Sequence, residues 1–256
     1  DAQSTEGVER IYNAFPDDPD SVSDLGWMYF KTFQLGKAEI LLLDGIEQFP
    51  EDPGIYMTLG TVYAGKYQYL ESRKYYLKSV ELALDQNWHY FAAVAYYNLS
   101  ILEEGFYHYD RSMEYTDRSL ELVDRSSGHI ARGELYQQAL EYQKAADEYE
   151  TAVAAGDNPL GLINQADLAW SSGDLDAALA TALQVYKETD LSWIYYFGTD
   201  TDRHFQDLHQ LLEKIYRSLN FREKKLPDSR LRGWFNNAVT RTRYSALAWY
   251  HGRKAR

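Results

Sequence analysis

The sequence predicts an all-α protein built from a repeated unit. The pentapeptide FPDDP at residues 15–19 returns as FPEDP at residues 49–53, a spacing of 34 residues. Three residues recur at the same spacing: Leu25, Gly26 and Tyr29 return as Leu59, Gly60 and Tyr63. Only six prolines interrupt 256 residues, and 45% of the residues are hydrophobic, which suits closely packed helices. A fixed period of this length is typical of arrays of stacked supersecondary units.

These repeats resemble the tetratricopeptide repeat (TPR), a helix-turn-helix unit of 34 residues. Its consensus has Leu-Gly at positions 7 and 8, Tyr at position 11, and small residues at positions 8, 20 and 27. On that pattern, residues 19–52 form the first complete repeat and residues 53–86 form the second. Three weaker copies follow, to residue 190. The resemblance implies a right-handed superhelical solenoid of stacked helix-turn-helix repeats.

The weaker copies keep most of the small and aromatic positions. In the third copy, Leu99 and Ser100 hold the Leu-Gly positions, but Glu103 stands where the consensus has Tyr. The fourth and fifth copies are placed by Gly133, Tyr136, Ala145, Tyr149, Ala152, Ala166, Gly173, Ala178 and Ala182. Gly60 and Ser100 are 40 residues apart, so six extra residues around 85–91 must lengthen a turn or a helix.

Four segments follow from this division. Residues 1–18 are expected to supply the second helix of an incomplete first repeat, and residues 19–190 form the TPR array of five repeats. Residues 191–226 are a degenerate helical region, and residues 227–256 form a basic amphipathic C-terminal helix. Within the degenerate region, one helix face is predicted from the spacing of Phe205, Leu208, Leu211, Leu212 and Ile215.

The proline pairs mark the joints between stacked units. Proline cannot continue a helix but fits the first turn of the next one. Pro16 and Pro50 therefore end one helix, and Pro19 and Pro53 begin another. The acidic residues between the prolines stand at a helix start, where carboxylates are favoured. Each repeat depends on its neighbour, because one unit cannot bury its apolar face alone.

Charge is distributed unevenly along the chain. The net charge is −13, yet residues 222–256 contain ten Lys/Arg against two Asp/Glu, a balance of +8, so residues 1–221 carry −21. The basic end has three interpretations: a capping helix with solvated arginines, an arm that binds the acidic groove of its own or another copy, or a nucleic-acid contact. The acidic body makes the last the least favoured. The residues of the interaction arm are Arg230, Arg232, Trp234, Arg241, Arg243 and Trp249.

The TPR resemblance implies a groove on the concave side, lined by the first helices of successive repeats. Carried over by repeat position, the predicted groove residues are Ser23, Trp27, Phe30, Met57, Thr61, Tyr97, Ile101, Glu104, Ile130, Glu134, Gln137, Ile163, Asp167 and Trp170. The set is aromatic, aliphatic and acidic, so an apolar or basic protein segment is the expected ligand. Carboxylate-clamp TPRs need Lys, Asn and Arg at positions that here hold Ser23, Trp27, Thr58 and Val94, which excludes that use.

No catalytic constellation or cofactor motif is present. The chain has no Cys, glycine-rich phosphate loop or nucleophile elbow. His204 and His209 fall on different sides of a helix, so no metal site is expected. No apolar run approaches the roughly 18 residues that span a bilayer. The absence of cysteine leaves the compartment open and favours an extracytoplasmic, periplasmic location over a cytoplasmic one.

The sequence therefore predicts a non-catalytic TPR scaffold or adaptor that binds a protein or peptide segment in its groove. No cofactor, nucleic-acid partner or membrane insertion is expected. The alternative is a self-assembling structural component of a larger, envelope-associated complex, in which the basic C-terminal helix makes the contact. A third possibility is an enzyme whose catalytic domain lies outside this sequence.

Overall fold

The structure, a computed structural model, describes residues 2–155, residues 159–188 and, farther on, positions 208, 210–212, 214, 215 and 218. The chain divides into two compact units, residues 1–168 and 169–256. The helices of the two long stretches are α1 Ala2–Ala14, α2 Pro19–Lys31, α3 Leu35–Gln48, α4 Pro53–Gly65, α5 Tyr69–Asp85, α6 His89–Gly105, α7 Tyr109–Leu122, α8 Ser126–Gln138, α9 Tyr142–Ala154, α10 Pro159–Ser172 and α11 Leu175–Glu188.

The first unit is a row of helical hairpins that stack one on the next. Helices α2 and α3, α4 and α5, α6 and α7, and α8 and α9 form hairpins, and α4 packs against both α2 and α6. The described residues contain helices and no strand. The predicted all-α repeat solenoid is therefore confirmed.

The proline-flanked joints have the capping geometry that their sequence predicts. Pro19 and Pro53 begin α2 and α4. The carboxylate of Asp18 accepts the backbone N–H of Ser21 at 3.1 Å, and its hydroxyl at 2.7 Å. In the next joint, Asp52 caps α4 in the same way. The second acid of each joint thus satisfies a free N–H at the helix start.

Glycine at repeat position 8 lets the second helix of a hairpin approach closely. A Cβ atom on Gly60 would lie 2.6 Å from Cδ1 of Tyr76, and one on Gly133 would lie 2.5 Å from Cε1 of Tyr149. Both tyrosine rings are buried. Each ring therefore occupies the space that a side chain at position 8 would need, which explains the pairing of small and large residues.

Serine at position 20 adds a hydrogen bond to this contact. The hydroxyl of Ser72 donates to the carbonyl of Gly60 at 2.8 Å, and that of Ser112 donates to the carbonyl of Ser100 at 2.8 Å. Both serines are buried. Their polar atoms are thus satisfied inside the helix interface, where an unpaired hydroxyl would be destabilising.

The six extra residues lengthen two helices rather than a loop. Helices α5 and α6 contain 17 residues each, whereas α3 contains 14 and α4 contains 13. The connection between α5 and α6, residues 86–88, is one residue shorter than the joint at residues 49–52. The two facing helices of the second and third repeats therefore extend together by about one turn each.

The second unit is described only in part. It contains the end of α10, helix α11, and helical residues Leu208, Leu211, Leu212 and Ile215, all four of them buried. Phe205 and the predicted basic helix at residues 227–256, with all residues of the interaction arm, lie outside the described residues. Among the helices that are described, none has the length and apolar character needed to cross a membrane.

Candidate functional site

The first helices of three successive repeats enclose one side of an open cavity of about 900 Å³. We call this cavity the groove; its walls come mainly from α2, α4 and α6, with Tyr76 of α5 and the turn residues Tyr67 and Phe106. Of the fourteen predicted groove residues, the ones that line it are Ser23, Trp27, Phe30, Met57, Thr61 and Ile101. The structure thus brings together the predicted residues of the first two complete repeats and one from the third.

Large apolar side chains form most of the groove surface. Trp27 and Phe30 stack with ring centroids 5.3 Å apart, and Trp27 is 42% exposed. Ile101 faces the groove from α6 and is 48% exposed. A Cβ atom on Gly65 would lie 2.8 Å from Cε2 of Phe30, so the glycine makes room for that ring. Exposed rings held in fixed positions suit the anchoring of an apolar side chain.

Hydroxyl groups lie among the apolar residues of the groove. Thr61 Oγ1 and Tyr76 Oη are 2.9 Å apart, and Thr61 also donates to the carbonyl of Met57. Burial raises the pKa of Tyr76 to about 12, so the phenol is neutral near pH 7. Ser23 Oγ is buried and has no partner within the described part of the protein.

Two carboxylates line the groove on the same helix as Trp27. Asp20 and Asp24 are four residues apart on α2 and therefore share a face. Burial raises the pKa of Asp24, and the charges of Asp20 and Asp18 raise it further. Among the described residues, no Lys, Arg or His lines the groove, although Lys31 Nζ lies 5.5 Å from the centroid of the Trp27 ring. The sequence prediction missed both acids, although their i, i+4, i+7 spacing with Trp27 gave a usable signal.

A second set of predicted residues forms a polar cluster on α6, α8 and α10 instead of lining the groove: Tyr97, Glu104, Glu134, Gln137 and Asp167. The amide of Gln137 donates to Asp167 Oδ2 at 3.0 Å, and that of Asn164 donates to Glu134 Oε1 at 2.9 Å. Burial raises the pKa of Tyr97, and the charges of Glu134 and Glu104 raise it further. These side chains interact with one another, through hydrogen bonds and charge, across neighbouring repeats.

Two predicted residues, Ile130 and Ile163, require correction. Ile130 is 3% exposed and Ile163 is 5% exposed, so neither is accessible to a ligand. Both occupy repeat position 5, as the groove residues Ser23 and Met57 do, but here the aliphatic side chains pack into the core, which removes their apolar area from water. Trp170 belongs to the second unit, where its indole N–H donates to Ser218 Oγ at 2.9 Å.

The residue that breaks the TPR pattern in the third repeat organises a buried ionic cluster. Glu103 is fully buried. Tyr69 Oη donates to both carboxylate oxygens at 2.9 and 3.0 Å, Arg73 Nε donates at 2.9 Å, and His108 Nδ1 lies 2.8 Å away. Burial favours the neutral carboxyl, but the hydrogen bonds from Tyr69, His108 and Arg73 prevail and lower the pKa of Glu103. The cluster ties α5, α6 and the start of α7 together.

Within the described part of the chain, the residues available for metal binding do not cluster. Among the described residues, no group of three His, Cys, Asp or Glu side chains is placed to hold a metal ion. His204 and His209, which the sequence also offers, lie outside the described residues.

Similarity to known proteins is confined to structure. No protein-family model matches the chain, and no curated protein matches its sequence. TTC0263, a thermophilic TPR protein in Thermus thermophilus, is 18% identical with a TM-score of 0.53, over 75% of this chain and 100% of that chain. PilW, a widely conserved type IV pilus biogenesis factor, is 16% identical with a TM-score of 0.62, over 82% and 90% respectively.

A third solved structure agrees with these two. BtubC (BKLC) from P. vanneervenii is 19% identical with a TM-score of 0.59, over 73% of this chain and 87% of that chain. Identities this low carry information about the fold and not about the ligand. Together the comparisons show a TPR-like helical repeat fold.

Proposed function

On the premise that this chain is a TPR-like repeat protein, we propose that it is a non-catalytic scaffold that binds a segment of a partner protein in the groove. The segment has a large apolar side chain with a Lys or Arg close to it in sequence. One observation carries the proposal: a mostly apolar cavity of about 900 Å³ with two unpaired carboxylates and, among the described lining residues, no cation.

The apolar part of the groove supplies the anchor. Trp27 is 42% exposed, which for a ring system of this size is on the order of 100 Å². Covering that area with an apolar side chain stabilises the complex by about 2.5 kcal/mol at 25 cal/mol per Å². Ile101 faces the same cavity and adds to it. Partly exposed aromatic side chains in a concave surface are the residues that dominate interface energetics.

The carboxylates select the charge of the segment. Asp20 and Asp24 form no ion pair or hydrogen bond through their side chains within the described protein. Their mutual repulsion is relieved when a Lys or Arg of the ligand lies near them. An acidic segment would meet the same repulsion and lose affinity. Because both acids are close to solvent, the preference should weaken as the salt concentration rises.

The test is selection from a random peptide library displayed on phage, with the full chain immobilised, followed by titration of the selected peptides. Two variants probe the groove: Trp27→Ala and Asp24→Asn. Two matched controls lie on α3, away from the groove: Ile40→Ala, an exposed apolar residue, and Glu47→Gln, an exposed acid.

We expect the selected peptides to be enriched in Lys or Arg next to Trp, Phe, Leu or Met. Trp27→Ala should weaken their binding by at least about tenfold, and Asp24→Asn should reduce the preference for the basic residue. Both control variants should bind like the wild type. Enrichment of acidic peptides, or equal effects of Trp27→Ala and Ile40→Ala, would contradict the proposal.

The chain's own basic end is a second candidate ligand. Residues 222–256 carry +8, and Trp234 and Trp249 stand among their arginines, whereas residues 1–221 carry −21. A segment with this composition matches the chemistry that the groove favours. A synthetic peptide of residues 229–250, and a version with each Arg replaced by Glu, test this directly by titration into the full chain. Binding of the first peptide alone, lost in Trp27→Ala, would support self-assembly through the groove.

A further inference from the structure

In the first four complete repeats, the turns between the two helices share one unusual backbone conformation. Their central residues are large and apolar and have left-handed φ angles of 58° to 62°: Phe33, Tyr67, Tyr107 and Leu140. We call these four residues the turn ridge. Each is followed by the same hydrogen bond across six residues, such as Gln34 N–H to the carbonyl of Tyr29 at 2.8 Å. This is the Schellman ending of a helix, which usually has glycine at the left-handed position.

These side chains oppose folding at the positions they occupy. A non-glycine residue in the left-handed region costs roughly 1–2 kcal/mol, because its Cβ approaches the neighbouring carbonyl. The corresponding turn of the fifth repeat has glycine, Gly173, with a φ of 90°. Four of the five repeats thus carry a large apolar residue where glycine would fold more easily.

Nor do the ridge side chains stabilise the core. Phe33 is 88% exposed, Tyr67 86%, Tyr107 78% and Leu140 70%. Because they occur once per repeat at equivalent turns of stacked hairpins, they lie along one edge of the first unit. An apolar row that opposes folding and contacts water is typical of a protein interface.

We propose that the turn ridge is a self-association surface, on which two copies of this chain pack edge to edge around a two-fold axis. In such an arrangement the ridges run in opposite directions. Phe33 of one copy then faces Leu140 of the second copy, and Tyr67 faces Tyr107. A two-fold contact of this kind uses the same patch on both copies and closes after two subunits.

The exposed area of the ridge is sufficient for a specific dimer. Leu70, 73% exposed, and Tyr109, 43% exposed, flank the ridge on the following helices. Large apolar side chains present about 150–250 Å² each when fully exposed, so the ridge and its two flanking residues offer roughly 650–1,100 Å² per copy. Specific interfaces bury about 800 Å² per partner.

Charge also favours this edge for contact between identical copies. The four turn segments, residues 31–37, 65–71, 105–111 and 138–144, contain five Lys/Arg and three Asp/Glu, a balance of +2. Residues 1–221 as a whole carry −21, so contact through most other surfaces brings like charges together. The turn edge therefore combines the exposed apolar area with low repulsion.

The experiment is analytical ultracentrifugation of the full chain, beside the variant Tyr107→Gly/Leu140→Gly. Neither residue lines the groove, whereas the ridge residue Tyr67 does. Glycine keeps the left-handed turn, so the variant should fold at least as stably as the wild-type monomer. In a two-fold contact the two changes remove one member of all four facing pairs. Asn87→Gly, at a left-handed turn on the opposite edge, is the matched control.

We expect a wild-type dimer with a dissociation constant in the micromolar range, weakened at least about 100-fold in Tyr107→Gly/Leu140→Gly and unchanged in Asn87→Gly. Thermal unfolding of dilute samples checks that the ridge variant is folded. A wild-type chain that remains monomeric at about 200 µM would overturn the proposal. So would a dimer that persists in the ridge variant, which would assign self-association to another surface.

Discussion

The buried cluster around Glu103 offers a sharp test of how the third repeat is held together. In Glu103→Gln the side chain keeps its size but loses its charge. Hydrogen bonds to a charged acceptor contribute about 1.5–3 kcal/mol each, and Tyr69, Arg73 and His108 are all within 3.0 Å of the carboxylate. Arg73 is 32% exposed and His108 37%, so both regain water when the charge is removed. With that discount, we expect unfolding free energy to fall by about 3 kcal/mol.

Equilibrium unfolding in urea, followed by far-UV circular dichroism, measures this difference. Glu114→Gln on α7 is the matched control, because Glu114 is exposed, and it should change stability by less than about 0.5 kcal/mol. A loss below about 1 kcal/mol in Glu103→Gln would refute the assignment of a stabilising role to the cluster.

The pH dependence gives a second, independent check of the same assignment. The folded pKa of Glu103 is lowered from the ordinary value of 4.5, so its ionisation stabilises the folded chain fully above that value. This contribution is lost as pH falls through the lower, folded pKa. The stability gap between the wild type and Glu103→Gln should therefore narrow as pH falls below 4.5. A gap that is independent of pH would show that shape, and not charge, accounts for the effect.

Further changes test packing and capping, each by the shift of the urea midpoint. Gly60→Ala places a methyl group 2.6 Å from Tyr76 Cδ1 and should destabilise by about 1–3 kcal/mol. Gly36→Ala, where nothing lies within 4 Å, should instead stabilise by up to about 1 kcal/mol, and equal midpoints for the two would contradict the packing argument. Asp52→Ala removes the acceptor of the Ile55 N–H and should cost about 1 kcal/mol, whereas an unchanged midpoint would argue against the cap.

The repeat architecture could be predicted from the sequence because its determinants are local and recur. Pro19 and Pro53 start helices whatever the rest of the chain does, and the Gly60–Tyr76 pairing follows from size alone. The sequence also showed that six residues are inserted between the second and third repeats, but not whether they extend helices or a loop. Whether extra residues extend helices or loop out depends on whether the facing helix is equally long, which is a tertiary property.

The groove could be predicted only in part, because repeat position does not determine exposure. Trp27 and Ile101 lie in the cavity as expected, whereas Ile130 at a groove position is buried. The only sign of the Glu103 cluster in the sequence is that Glu103 stands where the TPR consensus has Tyr. Its partner Tyr69 is 34 residues away in the sequence, and such pairing between repeats cannot be read from either segment alone.

The matched lengthening of α5 and α6 has a consequence for folding. In an array of equal hairpins, a hairpin can stack on the wrong neighbour with little loss, so misaligned intermediates compete with the native order. Here the two 17-residue helices differ in length from α3 and α4, and they complement each other. A neighbour of unequal length would leave part of α5 or α6 without a facing helix. The insertion thus distinguishes the middle of the array from its ends when the hairpins stack during folding.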